Sequence, residues 1–267
     1  MSTLHARIVG IGLLGPGFAD WTTGAAMLRE PTAWVSTPTV VPPPQRLPST
    51  ERRRAGPVVK VSLVAADQAV AACALPAAAL ATVFTSSTGE PSNCHALCEG
   101  LAAPERMVSP TRFTNSVHNA PGGYWHIAVQ GMAPSTSLAA HDASFGAGLL
   151  EAMSQIAATQ APVLLVAADV AYPEPLAAKR PTSDAFGLAL VLAPVTDADP
   201  GPVLTLTLVP EQPPSPCGHA GLDALRLGVP AARALPLLQV LARGDDASLV
   251  VEGFTGLSLA LTVQWAA

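Results

Sequence analysis

The sequence has few charged and few aromatic residues for a chain of 267. Asp, Glu, Lys and Arg together make up 12% of it and aromatic residues 4%, whereas apolar residues make up 49%. So little charge excludes a disordered chain, because disorder goes with high charge and low hydrophobicity. The apolar share, much of it alanine, predicts a heavily buried fold whose backbones pack closely. It also favours an obligate oligomer.

Other absences exclude several partners and locations. The net charge is −5 and no Lys/Arg run is interleaved with aromatic residues, so we expect no nucleic acid partner. No stretch reaches about 18 unbroken apolar residues, so we expect no membrane span. The first residues lack the layout of a secretory signal, and the four cysteines show no disulfide framework. A cytoplasmic location is the expectation.

Neither a cofactor nor a metal is expected. The early glycines do not form G-x-G-x-x-G, and no acidic residue follows at the distance that a dinucleotide loop requires. Cys94, His95 and Cys98 lie close together on one predicted helix, but no second ligand pair matches them. We therefore predict that these cysteines are buried and structural. His219 lies in a Pro/Gly-rich segment and is predicted to be a surface loop residue.

Arg52, Arg53 and Arg54 form the only dense basic run. One interpretation is a solvated helix start, and the other is a docking point for an acidic partner. The sequence leaves both open.

Strand and helix patterns alternate over the first ~170 residues. Helices are predicted over "WTTGAAMLRE", "VVKVSLVAADQAVAACAL", "NCHALCEGLA" and "SFGAGLLEAMSQIAATQ". Strands are predicted over "ARIVGIGLLGPG", "ATVFTSST", "STSLAA", "APVLLVAADVA", "AFGLALVLAP" and "PVLTLTLVP". Residues 36–57 read as an irregular excursion, residues 211–247 as loops with one helix, and the end of the chain as a strand pair. The pattern predicts an α/β fold with hydrophobic helices buried between sheets.

The stretch "SLAAHDASFGAGLLEA", from Ser137 to Ala152, begins as a strand and ends as a helix. Such small-residue turns hold nucleophiles in many α/β enzymes. Ser144 is either a nucleophile that needs a nearby histidine (His118, His126 or His141) or a helix N-cap. Asp142 is predicted to cap the same helix, because a helix N-terminus favours a carboxylate.

The longer stretch "SPTRFTNSVHNAPGGYWHIAVQGMAPSTSLAAHDASFGAG" resembles the β-ketoacyl synthase family of the thiolase-like superfamily. In that family a loop with an Asn and a Gly pair enters a helix, and a later strand carries the nucleophilic cysteine. The positions that match without gaps are Asn119, Gly122, Gly123, Pro134, Ser135 and Ser137. Gly122 and Gly123 are predicted to lie where a bulky side chain would not fit. The cysteine position falls on Asp142.

The resemblance implies a thiolase-like layered αβαβα fold. Residues 1–200 correspond to a complete ketosynthase-like N-terminal half, and residues 201–267 to a strongly truncated second half that ends in a strand pair. The family's two catalytic histidines come from that second half. His219 lacks the preceding lysine and is not matched to either.

The closest subgroup in the resemblance is the chain-length factors, which pair with an active ketosynthase and work with an acyl carrier protein. It implies a non-catalytic subunit in polyketide or fatty-acid-type (aryl polyene) chain elongation. Its partner is either a distinct ketosynthase or a second copy of this chain. The residues expected at the substrate tunnel or interface are Arg112, Phe113, Asn119 and Phe254. The alternatives are an autonomous acyltransferase or hydrolase that uses Ser144, and a scaffold that only stabilises its partner.

Overall fold

The structure, a computed structural model, describes residues 3–196 and 201–265. Its strands are β1 (Thr3–Leu14), β2 (Ala81–Thr85), β3 (Ser135–Leu138), β4 (Val163–Asp169), β5 (Phe186–Ala193), β6 (Val203–Pro210), β7 (Ala247–Glu252) and β8 (Leu257–Gln264). Its α-helices are α1 (Trp21–Arg29), α2 (Ser49–Arg54), α3 (Pro57–Ala71), α4 (Pro91–Ala102), α5 (Pro110–Thr114), α6 (Ala120–Val129), α7 (Ser144–Thr159), α8 (Ala220–Gly228) and α9 (Leu235–Arg243). Short 3₁₀ turns cover Pro31–Ala33, Ala77–Ala79, His141–Ala143 and Pro230–Ala234.

The described strands form one sheet in the order β3-β2-β4-β5-β1-β6-β8-β7. β2 runs parallel to β3 and β4, and all other neighbours are antiparallel. The long β1 joins the two parts of this sheet. Its first residues pair with β6 and its later residues with β5, and the register shifts between Ile8 and Gly10. β1 thus connects the strands that precede residue 200 to those that follow it.

Helix α3 lies almost directly on the backbone of β1. A Cβ atom on Gly12 would lie 2.0 Å from the carbonyl oxygen of Ala65, and one on Gly10 would lie 2.3 Å from that of Ala69. Such approach requires glycine on the strand and small residues on the helix. The close backbone packing predicted from the alanine-rich composition is therefore present here.

Helix α7 is enclosed between the two parts of the sheet. A Cβ atom on Gly148 would meet Thr85 of β2 and Leu165 of β4, whereas one on Gly146 would lie 2.3 Å from the carbonyl oxygen of Glu252 in β7. α3 and α6 pack on the opposite face of the first part. The order of layers is therefore helix, sheet, helix, sheet, with α7 and α9 in the inner helical layer.

The outer face of β6, β8, β7 and the start of β1 carries hydroxyl and imidazole groups that bond to one another. His5 Nδ1 lies 3.1 Å from Thr205 Oγ1, and Ser248 Oγ lies 3.2 Å from Thr262 Oγ1. No helix covers this face within residues 3–196 and 201–265. Within the described residues, this face of the sheet therefore lies open.

Three details differ from the sequence predictions. The segment 211–247 holds α8 as well as α9, because Leu222 and Leu225 form a short apolar stripe between Gly/Pro-rich ends. The excursion at 36–57 contains α2, and the arginine run lies at the end of this helix rather than at its start. Gly123, predicted to be where bulk would not fit, has open space around its Cβ position.

Gly146→Ala is expected to lower the free energy of unfolding by roughly 2–3 kcal/mol, because the new methyl group must push α7 away from Glu252. Gly123→Ala is the matched control, since it also replaces a helical glycine but meets no atom within 4 Å. It should be neutral or stabilise by about 0.5–1 kcal/mol. Urea unfolding of both variants checks this, and equal effects would contradict the layer order.

Candidate functional site

The turn between β3 and α7 is closed by its own hydrogen bonds. Ser144 Oγ donates to the carbonyl oxygen of His141 at 2.7 Å and accepts from the backbone N–H of Ala140 at 3.0 Å. His141 has a φ of 52°, which is in the left-handed region. These contacts hold the 3₁₀ turn His141–Ala143 in front of α7, with Asp142 at its centre.

Asp142 lies between two arginines. Arg180 Nη2 donates to its Oδ1 at 2.7 Å, and Arg233 Nη2 donates to its Oδ2 at 3.4 Å. Arg180 also donates to Ser87 Oγ at 2.7 Å and contacts the ring of His141. The Asp142 side chain is 45% exposed, so the turn is open to solvent although its carboxylate is engaged. A carboxylate bonded in this way is an acceptor only.

The charges continue from Asp142 towards the second part of the sheet. Arg233 also pairs with Glu252 of β7, Glu252 with Arg226 of α8 at 3.1 Å, and Arg226 with Asp223 at 3.0 Å. Arg226 and Arg233 are largely buried, so each needs these partners. The five alternating charges from Asp142 to Asp223 connect the turn, the second sheet part and α8.

Asp169, at the end of β4, positions both arginines that hold Asp142. Its Oδ1 accepts from Ser86 Oγ and from the backbone N–H groups of Ser87 and Thr88, and its Oδ2 accepts from the N–H of Ala231 at 2.8 Å. The first set fixes the loop whose Ser87 binds Arg180. The last bond fixes the 3₁₀ turn that carries Arg233. Burial raises the pKa of the Asp169 carboxyl above its usual value, and hydrogen bonds from Thr88 and Ser86 oppose that rise.

The capping roles predicted for Ser144 and Asp142 are wrong. Ser144 is the first residue of α7 and follows Ala143, the cap residue, which has no side-chain bond to offer. Asp142 binds guanidinium groups because Arg180 and Arg233 lie close enough to compete with the helix N–H groups. Ser144 is 1% exposed, and its hydroxyl forms hydrogen bonds with two main-chain groups. The geometry therefore gives no support to the predicted serine nucleophile.

The cysteines and loop histidine also differ in part from expectation. Cys94 and Cys98 are exposed on α4, not buried, because α4 lies at the surface with only Pro91 fully covered. Burial raises the pKa of Cys217 to about 12, so this thiol stays protonated at neutral pH. His219, predicted in a surface loop, is half-buried. It caps α8 through the N–H of Leu222 and its ring meets that of Trp34 edge-on.

The four residues predicted at a tunnel or interface lie on three separate segments of the chain. Arg112 and Phe113 lie on α5, and Phe113 is 68% exposed. Asn119 precedes α6 and makes no side-chain cap bond. Phe254 lies in the turn between β7 and β8, two residues beyond Glu252, and is partly exposed. Their predicted roles stay predictions.

Two adjoining cavities lie beside α5. The first, of about 360 Å³, is lined by Arg112 and by the ends of α2, α3 and α4. The second, of about 220 Å³, contains His118 and shares Gly56, Glu90 and Asn115 with the first. Burial raises the pKa of Glu90 to about 7, while the N–H of Val58 and the charge of Lys60 oppose the rise.

A family model for the N-terminal domain of β-ketoacyl synthases matches residues 25–216. The chain belongs to the β-ketoacyl synthase family. The match covers β2 to β6 and includes the turn that carries Asp142. No curated protein matches the sequence of this β-ketoacyl synthase family member.

Solved structures show the same fold. A chain from the complex of the ketosynthase ApeO with its chain length factor ApeC, from Xenorhabdus doucetiae, has a TM-score of 0.74 at 24% identity, with 97% of this chain and 99% of that chain covered. A chain of the ishigamide ketosynthase/chain length factor has a TM-score of 0.73 at 14% identity, with 98% and 99% covered. A chain of AntDE:AntF, a type II PKS acyl-carrier protein in complex with its ketosynthase bound to the hexaketide, has a TM-score of 0.74 at 12% identity, with 99% and 100% covered. The predicted thiolase-like ketosynthase fold is thereby confirmed.

The described residues contain neither a metal-type cluster nor a helix suited to a membrane. No group of three or more His, Cys, Asp and Glu side chains in residues 3–196 and 201–265 is arranged to hold a metal ion. Over the same residues, none of the helices has the length and apolar character that a membrane crossing needs.

Several residues of the site were not singled out in the sequence. Asp169 ends a strand in which every residue is buried, and a charge at that position is the signal that could have revealed it. Arg180 stands before a proline in a segment matched to the family, and Arg233 interrupts an apolar helix pattern. Their joint contact with Asp142 depends on chain segments that lie far apart in sequence.

Asp169→Asn is expected to lower the free energy of unfolding by about 3 kcal/mol. Both carboxylate oxygens accept from backbone N–H groups, so the NH₂ group of the new amide would face a donor instead of an acceptor. Asp142→Asn is the control within the same network and should cost only about 0.5–1 kcal/mol, since its carboxylate is half exposed. Denaturant unfolding at low salt compares the two. The role of Asp169 would be contradicted by a smaller loss for Asp169→Asn than for Asp142→Asn.

Glu90→Gln is expected to change the pH dependence of stability. Since folding raises the pKa of Glu90 from 4.5 to about 7, the unfolded chain releases this proton first, and stability falls as pH rises through that window. Relative to the natural chain, the variant should gain roughly 3 kcal/mol between pH 4.5 and pH 8. Unfolding curves of both proteins at pH 4.5 and pH 8 measure this gain. A stability difference that is the same at both pH values would contradict the raised pKa of Glu90.

Proposed function

We propose that this chain is a ketosynthase-like subunit without its own nucleophile, which acts as the chain-length factor of an active β-ketoacyl-ACP synthase. The observation that carries the proposal is the turn before α7. It keeps the strand, the tight turn and the enclosed helix, but it holds Asp142 between Arg180 and Arg233. The geometry of a nucleophile turn is retained while its central residue is committed to ion pairs.

Decarboxylative condensation needs a thiolate that accepts the acyl group and donors that stabilise the developing oxyanion. None of the four cysteines lies on this turn. Cys217 is buried with a pKa raised to about 12, whereas the exposed Cys94 has its pKa raised above the usual value by partial desolvation and by the neighbouring Cys98. The turn therefore offers no thiol to accept an acyl group, which supports the role of a partner subunit.

The edge of the sheet at β3 supports a partner. β3 has only four residues and pairs on one side with β2, and an unpaired edge strand is a surface to which another strand can add. The chain between α4 and β3 also exposes large apolar side chains, which are Leu101, Met107, Phe113, Val117, Ile127 and Met132. Apolar side chains exposed near an open edge favour a protein interface.

The proposed partner is an active ketosynthase, either a distinct protein or a second copy of this chain, together with an acyl carrier protein. Support comes from the fold, which is that of chains solved in ketosynthase/chain length factor complexes and in a ketosynthase complex with an acyl-carrier protein. The reaction is chain elongation of the polyketide or fatty-acid type, with aryl polyenes as the proposed pathway. Arg112 and Phe113 bound the far end of the tunnel, and Asn119 and Phe254 lie at its borders.

The chain, co-expressed with a ketosynthase that carries a cysteine nucleophile and with acyl carrier protein, is expected to support elongation. Arg112→Trp adds bulk at the proposed tunnel end and should shorten the product by at least one two-carbon unit. Val40→Trp, which adds bulk at an exposed site in the irregular excursion, is the control and should leave the length unchanged. Mass spectrometry of the products reads the length.

Full turnover by this chain alone would contradict the proposal. An unchanged product length with Arg112→Trp, in a complex that still elongates, would leave only the scaffold role and would contradict the chain-length function.

A further inference from the structure

The first of the two cavities beside α5 brings together three arginines from two segments. Arg53 and Arg54 come from the end of α2, and Arg112 comes from α5. The remaining side chains that line it are mostly hydroxyls and amides. These are Ser92, Asn93, Ser109, Thr111 and Asn115. Three of the 14 basic residues of a chain with net charge −5 therefore surround one recess.

Two of these guanidinium groups have no partner in the described residues. Arg54 pairs with Glu51 at 3.2 Å, whereas no described residue forms a hydrogen bond or ion pair with the side chain of Arg53 or of Arg112. Like charges around one recess repel one another, and an anion between them removes that repulsion. The planar guanidinium group matches the two oxygens of a carboxylate.

Glu90, the one carboxyl group among the lining residues, neutralises this charge only in part. Its Oε2 accepts from the backbone N–H of Val58 at 3.0 Å and so points to α3. Its Oε1 is buried without a partner, and burial raises its pKa to about 7. The recess therefore keeps a net positive charge.

The second cavity has a different character. Beyond the residues shared with the first, much of its lining is apolar, with Val58, Val59, Leu97, Val117 and Pro121. An apolar recess of about 220 Å³ thus adjoins a cationic one of about 360 Å³. Together they match a ligand with an apolar body and an acidic end.

We infer that the paired recesses bind an apolar acyl-type ligand that ends in an oxyanion such as a carboxylate, with its body against Val58 and Val117 and its charge between Arg53 and Arg112. The inference rests on the proposed function, which brings the far end of an acyl chain to α5. It adds that this end is acidic, although the body of the chain is apolar.

Isothermal titration of the protein alone tests the site with octanoate, 1-octanol and inorganic phosphate. Octanoate is expected to bind at least tenfold more tightly than either of the others, because only octanoate satisfies both recesses. In the double variant Arg53→Gln/Arg112→Gln, octanoate should bind at least tenfold more weakly while 1-octanol is unchanged. Arg106→Gln/Arg243→Gln removes two exposed arginines that do not line the recesses, and it should leave octanoate binding as it is.

Equal affinity for octanoate and 1-octanol would overturn the inference that the cationic recess binds a carboxylate. Phosphate binding as tight as octanoate binding would overturn the inference that the apolar recess binds the body of the ligand, and it would indicate a site for free anions. Since this titration needs no ketosynthase, its failure is separate from a failure of the co-expression experiment. If elongation is observed but octanoate does not bind, the inference of an acidic ligand end is wrong and the proposed function stands.

Discussion

The buried carboxylate of Asp169 is the contact on which the candidate site depends. Its four hydrogen bonds join the end of β4 to the loop after β2 and to the 3₁₀ turn before α9. Those two segments supply the groups that orient Arg180 and Arg233, and the two arginines in turn hold Asp142. A fully buried acid is costly unless its oxygens are bonded, so the three segments are fixed relative to one another. The position of the Asp142 side chain thus depends on this arrangement as well as on the bonds that Ser144 makes within the turn.

The layered packing gives the same turn its rigidity. α7 can lie between the two parts of the sheet because Gly146 and Gly148 offer no side chain on either side. The charges from Asp142 to Asp223 then cross the inner layer and reach α8. In the proposed subunit, ion pairs with Arg180 and Arg233 engage Asp142, the residue that the resemblance assigns to the cysteine position. Such a frame suits a subunit whose surface and cavities matter more than a nucleophile.

Much of the fold could be predicted from the sequence, because apolar strands such as β4 and helices such as α3 are set by local pattern. The αβ layering followed from the family resemblance, whereas the assignment of Asp142 to the cysteine position stays a prediction. The ion pairs around Asp142 could not be predicted, since Arg180 and Arg233 meet it only through long-range folding. α8 was missed because its stripe is short, and Cys94 was misplaced because a surface helix and a buried one look alike over so few residues. The sequence shows Arg53 and Arg54 in the basic run and Arg112 in a separate segment. It does not show that the three line one cavity.

The most direct test of the account is the intact mass of each chain after a reconstituted mixture with active ketosynthase is incubated with acylated carrier protein. The account predicts an acyl adduct on the ketosynthase and none on this chain, because its turn holds Asp142 in ion pairs and Ser144 in main-chain bonds. An acyl adduct on this chain, mapped by peptide analysis to the turn before α7, would contradict it.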